Sequence, residues 1–241
     1  MKIDNATALV TGANRGIGRA LVEALLDGGA RKIYAAARNP DTLAGVTALD
    51  RKRVFPLTAD VTDRAAIAAL PNAAPDATLL VNNAGILDVG SILDTPIETI
   101  DRQFATNFYG QLLTARAFAP VIERNRGGAI ANVLTVLAFA SMPGIAAYNA
   151  AKAAAWSMTL SLRASLAPRG IAVHSVFPGP VDTDMAAGFP LVKTAASDVA
   201  GAIVAGINAG EEDIFPDPMS AKTYSAWKSD HKAVEKQFAA M

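Results

Sequence analysis

Thr11-Gly12-Ala13-Asn14-Arg15-Gly16-Ile17-Gly18 follows a short β-type run, Ala6-Thr7-Ala8-Leu9-Val10, and opens a stretch that reads as helix to about Leu26. A strand, a glycine-rich turn and a helix in this order make a cradle for a pyrophosphate, because free backbone N–H groups at a helix N-terminus point at the anion. Gly12 permits the tight turn, Gly16 lets the phosphates approach the backbone, and Gly18 lets helix and strand pack closely. Asn14, Arg15 and Ile17 fill the loop between them and join the expected cofactor contact.

Working outward, runs rich in β-branched and apolar residues recur at Lys32–Ala36, Val54–Leu57, Thr78–Val81, Ala129–Leu134, Ala172–Phe177 and Glu212–Phe215. Helix-length amphipathic or Ala-rich stretches separate them. Strands apolar throughout and alternating with helices predict a parallel sheet of about seven strands, covered on both faces. Pro71–Pro75 reads as a short loop, and no linker, composition break or internal repeat appears. The expectation is one α/β doubly wound domain spanning residues 1–241.

Hydrophobic residues make up 51% of the chain and charged ones 18%, with 22 basic against 22 acidic side chains. That balance argues against a nucleic-acid or anionic-membrane surface. Cysteine is absent, so disulfides and thiolate metal sites are excluded, and no metal site is expected. No leader pattern precedes the first strand and no apolar run reaches spanning length, so a cytoplasmic protein is expected.

Arg38 stands twenty positions past Gly18, at the end of the second predicted strand, in Ala35-Ala36-Ala37-Arg38. A site built for NAD usually carries a carboxylate here to bind the ribose 2′-hydroxyl. A guanidinium instead grips a 2′-phosphate through charge-assisted bonds, and Arg15 supplies a second cation. NADP(H) is therefore the expected cofactor. Asp60-Val61, after the third predicted strand, has two readings: a place beside the adenine, or for Asp60 a helix N-cap.

Tyr148-Asn149-Ala150-Ala151-Lys152 lies in an Ala-rich run about 130 residues beyond Gly18. Positions i and i+4 share a helix face, so a phenol and an ammonium can enter the same cleft. A phenol titrates near ~10, too high for proton chemistry at neutral pH, and a nearby lysine cation lowers it.

With these pieces assembled, the chain resembles a short-chain dehydrogenase/reductase from Thr11 to about Met185. Asn82-Asn83-Ala84-Gly85, Asn107, Tyr148 with Lys152, and Pro178-Gly179 follow the glycine loop in the family's order. The resemblance implies a Rossmann-like fold and hydride transfer between a nicotinamide and a carbonyl or alcohol carbon. Tyr148 would be the general acid in reduction. Lys152 would bond the nicotinamide ribose and depress the tyrosine, and Asn107 would hold a water linking Lys152 to solvent, or simply satisfy a helix kink. Asn83, Ala84 and Gly85 would pack around the cofactor. Pro178, Gly179, Val181 and Thr183 would line its nicotinamide end, with Thr183 holding the carboxamide.

Two departures stand out. The family places a serine 13 residues before the tyrosine, where this chain has Thr135. Its hydroxyl can still bond a substrate oxygen, with an added methyl that narrows the cleft, or it can turn away as an ordinary strand residue. The other is the polar C-terminal stretch from Glu211, in place of the Gly-Gly segment that supports many family tetramers. A homodimer or homotetramer is still implied, through Ile97–Glu123 and Tyr148–Ala167.

Residues 185–195 form a short apolar segment placed to act as a lid. With Leu87, Leu137, Phe139, Met142 and Ile145 nearby, the pocket would favour an uncharged ketone, aldehyde or alcohol. The expected activity is NADPH-dependent carbonyl reduction. A non-catalytic NADP-binding module would be expected to lack Tyr148 or Lys152, and both are present. A dehalogenase on the same fold would want arginine at Lys152 and a degraded glycine loop.

Overall fold

The computed structural model describes residues 1–241. Seven strands form one parallel sheet: β1 (Thr7–Thr11), β2 (Lys32–Ala37), β3 (Val54–Thr58), β4 (Leu79–Asn82), β5 (Gly128–Val133), β6 (Ile171–Val176) and β9 (Asp213–Ile214). Their order is β3-β2-β1-β4-β5-β6-β9, the doubly wound arrangement the sequence predicts. The central strands are fully buried, and their apolar side chains point to both faces, as helix cover on each side requires. β3 is the edge strand beside β2, and it accommodates Pro56, which has no N–H to give to a further neighbour.

Helices α1 (Gly16–Asp27) and α7 (Ala196–Ala209) cover one face, burying Leu21, Leu25, Ile203 and Ile207 against β1, β4 and β5. The other face carries α3 (Arg64–Ala73), α5 (Gly110–Arg124) and α6 (Ala146–Leu166), with Phe118, Ile122 and Leu166 in contact with Leu9, Leu80 and Ile130. The short α2 (Ala44–Thr47) follows β2, and α4 (Ile97–Phe104) runs into α5 through a π-helical turn, Ala105–Tyr109.

Three regions differ from the sequence reading. The expected loop Pro71–Pro75 begins inside α3, which continues through Pro71 to Ala73. The strand expected at Glu212–Phe215 contracts to Asp213–Ile214. The polar C-terminal stretch folds into two helices, α8 (Pro218–Ser229) and α9 (His231–Ala239). A short parallel pair, β7 (Val181–Asp182) with β8 (Thr194–Ala195), closes the base of the segment expected to be a lid. No helix is long and apolar enough to cross a membrane.

α8 starts at a capping box. Asp217 accepts from the Ser220 amide at 2.8 Å, and Ser220 bonds back to the Asp217 backbone. Pro218 at the first helical position needs no partner for an N–H it lacks. The pair packs through a third apolar cluster in which Phe139, Trp156, Phe177, Tyr224 and Trp227 meet with ring centroids 5.5–6.2 Å apart. Phe139 is thereby committed to this cluster and does not line the cleft, contrary to expectation.

Candidate active site

One cleft of about 420 Å³ opens at the C-terminal ends of the strands, around the point between β1 and β4 where the sheet order reverses. Ligands of doubly wound sheets bind at such a switch point. The expected site residues Gly12, Asn14, Arg15, Gly16, Ile17, Gly18, Arg38, Asp60, Val61, Asn83, Ala84, Gly85, Thr135, Tyr148, Lys152, Pro178, Gly179, Val181 and Thr183 all line it. Asn107 lies just behind, fully buried.

The glycine loop is held from β4. Gly12 takes φ +64°, and a Cβ there would stand 2.9 Å from Ala84 Cα; at Gly18 a Cβ would collide with the Gly12 carbonyl. Asn83 Nδ2 donates to the Thr11 and Gly12 carbonyls at 3.0 and 3.1 Å, while Thr11 Oγ1 accepts from the Asn83 and Ala84 amides. The Asn83 side chain therefore staples the loop to the end of β4. These positions leave a backbone-lined hollow ahead of α1 that suits a dinucleotide pyrophosphate.

Beyond the end of β2, Arg38 is exposed at the rim of the cleft. Arg15, expected to share its work, instead reaches across the cleft to Asp184, Nη1 to Oδ2 at 3.1 Å. Asp60 is not the helix cap that one reading allowed. Its Oδ1 accepts from the Thr62 amide and hydroxyl, and Asp63 caps α3 through the Ala65 and Ala66 amides.

Tyr148 and Lys152 share one face of α6, both buried, with Lys152 Nζ 5.7 Å from the Tyr148 ring centroid. Burial holds the phenol well above its ordinary value, and a hydrogen bond from the Thr135 side chain acts in the opposite sense. Thr135 and Tyr148 both line the cleft, and the Thr135 hydroxyl accepts from the Leu137 amide at 3.3 Å. Burial pushes Lys152 down to about 7. Its Nζ donates to the Val133 carbonyl at 2.7 Å, an acceptor shared with Gln111 Nε2 at 3.1 Å. The expected depression of Tyr148 by the lysine is thus absent from this arrangement, because desolvation dominates both groups.

Asn107 sits in the π turn, where the backbone ladder is locally widened. Its Oδ1 accepts from the Ile86 amide at 3.1 Å, and its Nδ2 donates to the Ile86 carbonyl at 2.9 Å. A Cβ on Gly85 would lie 3.0 Å from Asn107 Oδ1 and 3.8 Å from Lys152 Nζ, so both groups converge on one small space.

The part of the cleft expected to take the substrate is largely apolar. Leu87, Leu137, Met142 and Ile145 line it as expected, joined by Met185, Phe189 and Leu191 from the segment between β7 and β8. Sequence reasoning missed Met219, Phe238 and Met241, which α8 and α9 bring to the same wall. The Asp217-Pro218 start of α8 was the available signal, since it marks a helix in a stretch otherwise read as tail. Also missed was the buried polar chain behind the site, from Thr114 to Asn82 (2.6 Å), Asn82 to Asn132 (2.8 Å) and Asn132 to Thr159 (2.9 Å), which ties α5, β4, β5 and α6 together.

A profile described as short chain dehydrogenase matches residues 6–191. The chain belongs to the short-chain dehydrogenase family. Among curated relatives, the probable oxidoreductase EphD of Mycobacterium tuberculosis is 36% identical over 188 residues, covering 74% of this chain but 31% of its own length. The chain thus spans about a third of that protein. Carbonyl reductase [NADPH] 2 of Sus scrofa is 34% identical over 77% of this chain and 75% of its own. A short chain dehydrogenase of Burkholderia cenocepacia J2315, solved in complex with NADP, superposes with TM-score 0.92 at 38% identity over 99% of both chains. One from Burkholderia phymatum in complex with NAD gives 0.87 at 25%, over 97% of this chain and 96% of that one. The family assignment and the fold of this chain rest on these matches together with its own sheet order.

Proposed function

We propose that this short-chain dehydrogenase is an NADPH-dependent carbonyl reductase, running in reverse as an alcohol dehydrogenase. The observation that carries it is the meeting of Thr135, Tyr148 and Lys152 in the cleft that the glycine loop opens. When bound, the nicotinamide supplies or accepts the hydride. Tyr148, kept protonated by burial, gives its hydroxyl proton to the carbonyl oxygen as that oxygen gains electron density. Thr135 donates a second hydrogen bond to the same oxygen. Lys152 takes up and returns a proton close to neutrality, with a water held beside Asn107 as its relay to solvent. In this reading the whole chain acts as one dinucleotide-binding and catalytic unit.

Arg38, with no acid at the end of β2, supports NADP(H) over NAD(H) and would hold the 2′-phosphate, with Arg15 able to join it only on leaving Asp184; Asp60 and Val61 would flank the adenine and Thr183 would hold the carboxamide. The apolar wall supports a small uncharged ketone, aldehyde or alcohol as partner, and residues 185–195 act as the lid. Exposed Ile92, Leu93, Ile97 and Tyr109 on and beside α4 support self-association through α4, α5 and α6, as a homodimer or homotetramer.

The test is NADPH oxidation against a panel of aryl, aliphatic and cyclic ketones, aldehydes and keto acids. Turnover of uncharged carbonyls, with keto acids poor, is expected. Consumption of none of them, or a preference for keto acids, contradicts the reading.

A further inference from the structure

Pro178-Gly179-Pro180 forms the floor of the nicotinamide end, and it contains a single backbone donor, since neither proline has an N–H. That donor, the Gly179 amide, bonds Asp217 Oδ2 at 2.8 Å. The other carboxyl oxygen, Oδ1, accepts from Ser220 at the start of α8 at 2.8 Å. Asp217 is buried, and a Cβ on residue 179 would stand 2.8 Å from Oδ1 and 3.2 Å from Met219 Sδ, so glycine is required for the approach. The loop's remaining ties are carbonyls: Pro178 accepts from the Val136 amide, next to Thr135, and Pro180 accepts from Thr194 in β8.

One side chain thereby joins the floor of the cofactor cleft to the helix pair that carries Met219, Phe238 and Met241 along the substrate wall. We propose that Asp217 is a positioning residue: through the Gly179 amide it sets the height of the Pro178–Pro180 floor under the nicotinamide and holds the α8–α9 wall in register with it. This deepens the function proposed above and rests on that reading. A capping residue with no further role would need only the bond to Ser220.

Titration of NADP⁺ and of 2′,5′-ADP, which lacks the nicotinamide half, separates positioning from simple capping. Asp217→Asn nearly keeps the shape, but an amide has one acceptor oxygen, so one of the two N–H groups loses its partner. The expected result is a roughly 5- to 30-fold weaker hold on NADP⁺, the range for losing one buried hydrogen bond, with 2′,5′-ADP binding unchanged. Asp217→Ser, still a good helix cap but too short to serve both donors, should show the same split. Ser220→Ala breaks only the return bonds of the capping box, so it should lower the melting temperature and leave both ligands alone. Wild-type NADP⁺ affinity in either Asp217 variant, or equal losses for the two ligands, overturns the proposal. No carbonyl is needed, so a parent chain that binds both ligands yet reduces nothing fails the proposed activity alone. A parent chain that binds neither fails both.

Discussion

Arg15 and Asp184 face each other across the mouth of the cleft, joined at 3.1 Å with both side chains largely exposed. The pair links the glycine loop to the first residue after Thr183, where the segment toward Val192 leaves the floor. It also means that a cation suited to a 2′-phosphate is already engaged by a carboxylate, while Arg38 is not.

Cofactor discrimination should therefore rest mainly on Arg38. Arg38→Asp should erase or reverse a preference for NADPH over NADH of roughly 10- to 100-fold, the value of a charge-assisted contact. Asp184→Asn frees Arg15, and because an exposed ion pair contributes only about 0–1 kcal/mol, NADPH should bind about 2- to 5-fold tighter with NADH unaffected. Steady-state kcat/KM for both cofactors checks this; equal values in the parent chain would contradict it.

Thr135 should act through its hydroxyl. Thr135→Val, close in shape, should lower kcat/KM by about 1–3 kcal/mol equivalent, since a hydroxyl aimed at the substrate oxygen is lost. Thr135→Ser should retain activity and accept bulkier ketones, because a methyl leaves the cleft. The two variants are compared on one small and one bulky ketone, and a valine variant as active as the parent removes Thr135 from the reaction.

Lys152 predicts an unusual pH dependence of stability. Its folded value of about 7 lies below the ordinary 10.5, so between these limits the unfolded chain carries a proton that the native one does not. Unfolding takes up that proton, and stability should rise as pH rises from 7 toward 10. Tyr148, raised by burial, reverses the trend above ~10, where the unfolded phenol ionises first. Lys152→Met should flatten the rise between pH 7 and 9 in urea unfolding measured without cofactor, and an unchanged slope would contradict the assignment.

His174 should make the fold acid-sensitive. Its Nδ1 bonds the Glu211 carbonyl and must carry the proton, so a second proton would go to Nε2, which is buried without a partner. Burial accordingly lowers its affinity for that proton, and Arg163 and the N-terminal amine add to the effect. Below about 6.5 the unfolded ring binds a proton that the native ring refuses, and stability falls as pH falls. Unfolding of His174→Gln should be less steep between pH 6.5 and 5; a parent chain equally stable across that range would contradict this.

The fold was legible because its signals are local. Fully apolar strands, the glycine turn and the Tyr148–Lys152 spacing each declare themselves within a few residues, and the sheet order follows from their alternation with helices. Arg15 was read as a second cation beside Arg38, but its partner Asp184 is 169 positions away and no local pattern connects the two. Phe139 reads from sequence as one more apolar residue near the cleft; only the fold of α8, which brings Tyr224 and Trp227 over it, decides that it belongs to an aromatic cluster. The wall formed by Phe238 and Met241 was hidden for the same reason, since a charged stretch conceals a helix whose apolar positions are few. The capping signature at Asp217 was readable and outweighed by composition.

The most direct test of the central claim is single-turnover reduction by Tyr148→Phe at saturating NADPH, on the best ketone found for the parent chain. The variant keeps the ring and loses only the hydroxyl, so cofactor binding should persist. The hydride step should slow by roughly 10²- to 10⁴-fold, the usual contribution of a positioned acid. A variant that binds NADPH normally and turns over near the parent rate would place the proton donor elsewhere and contradict the account.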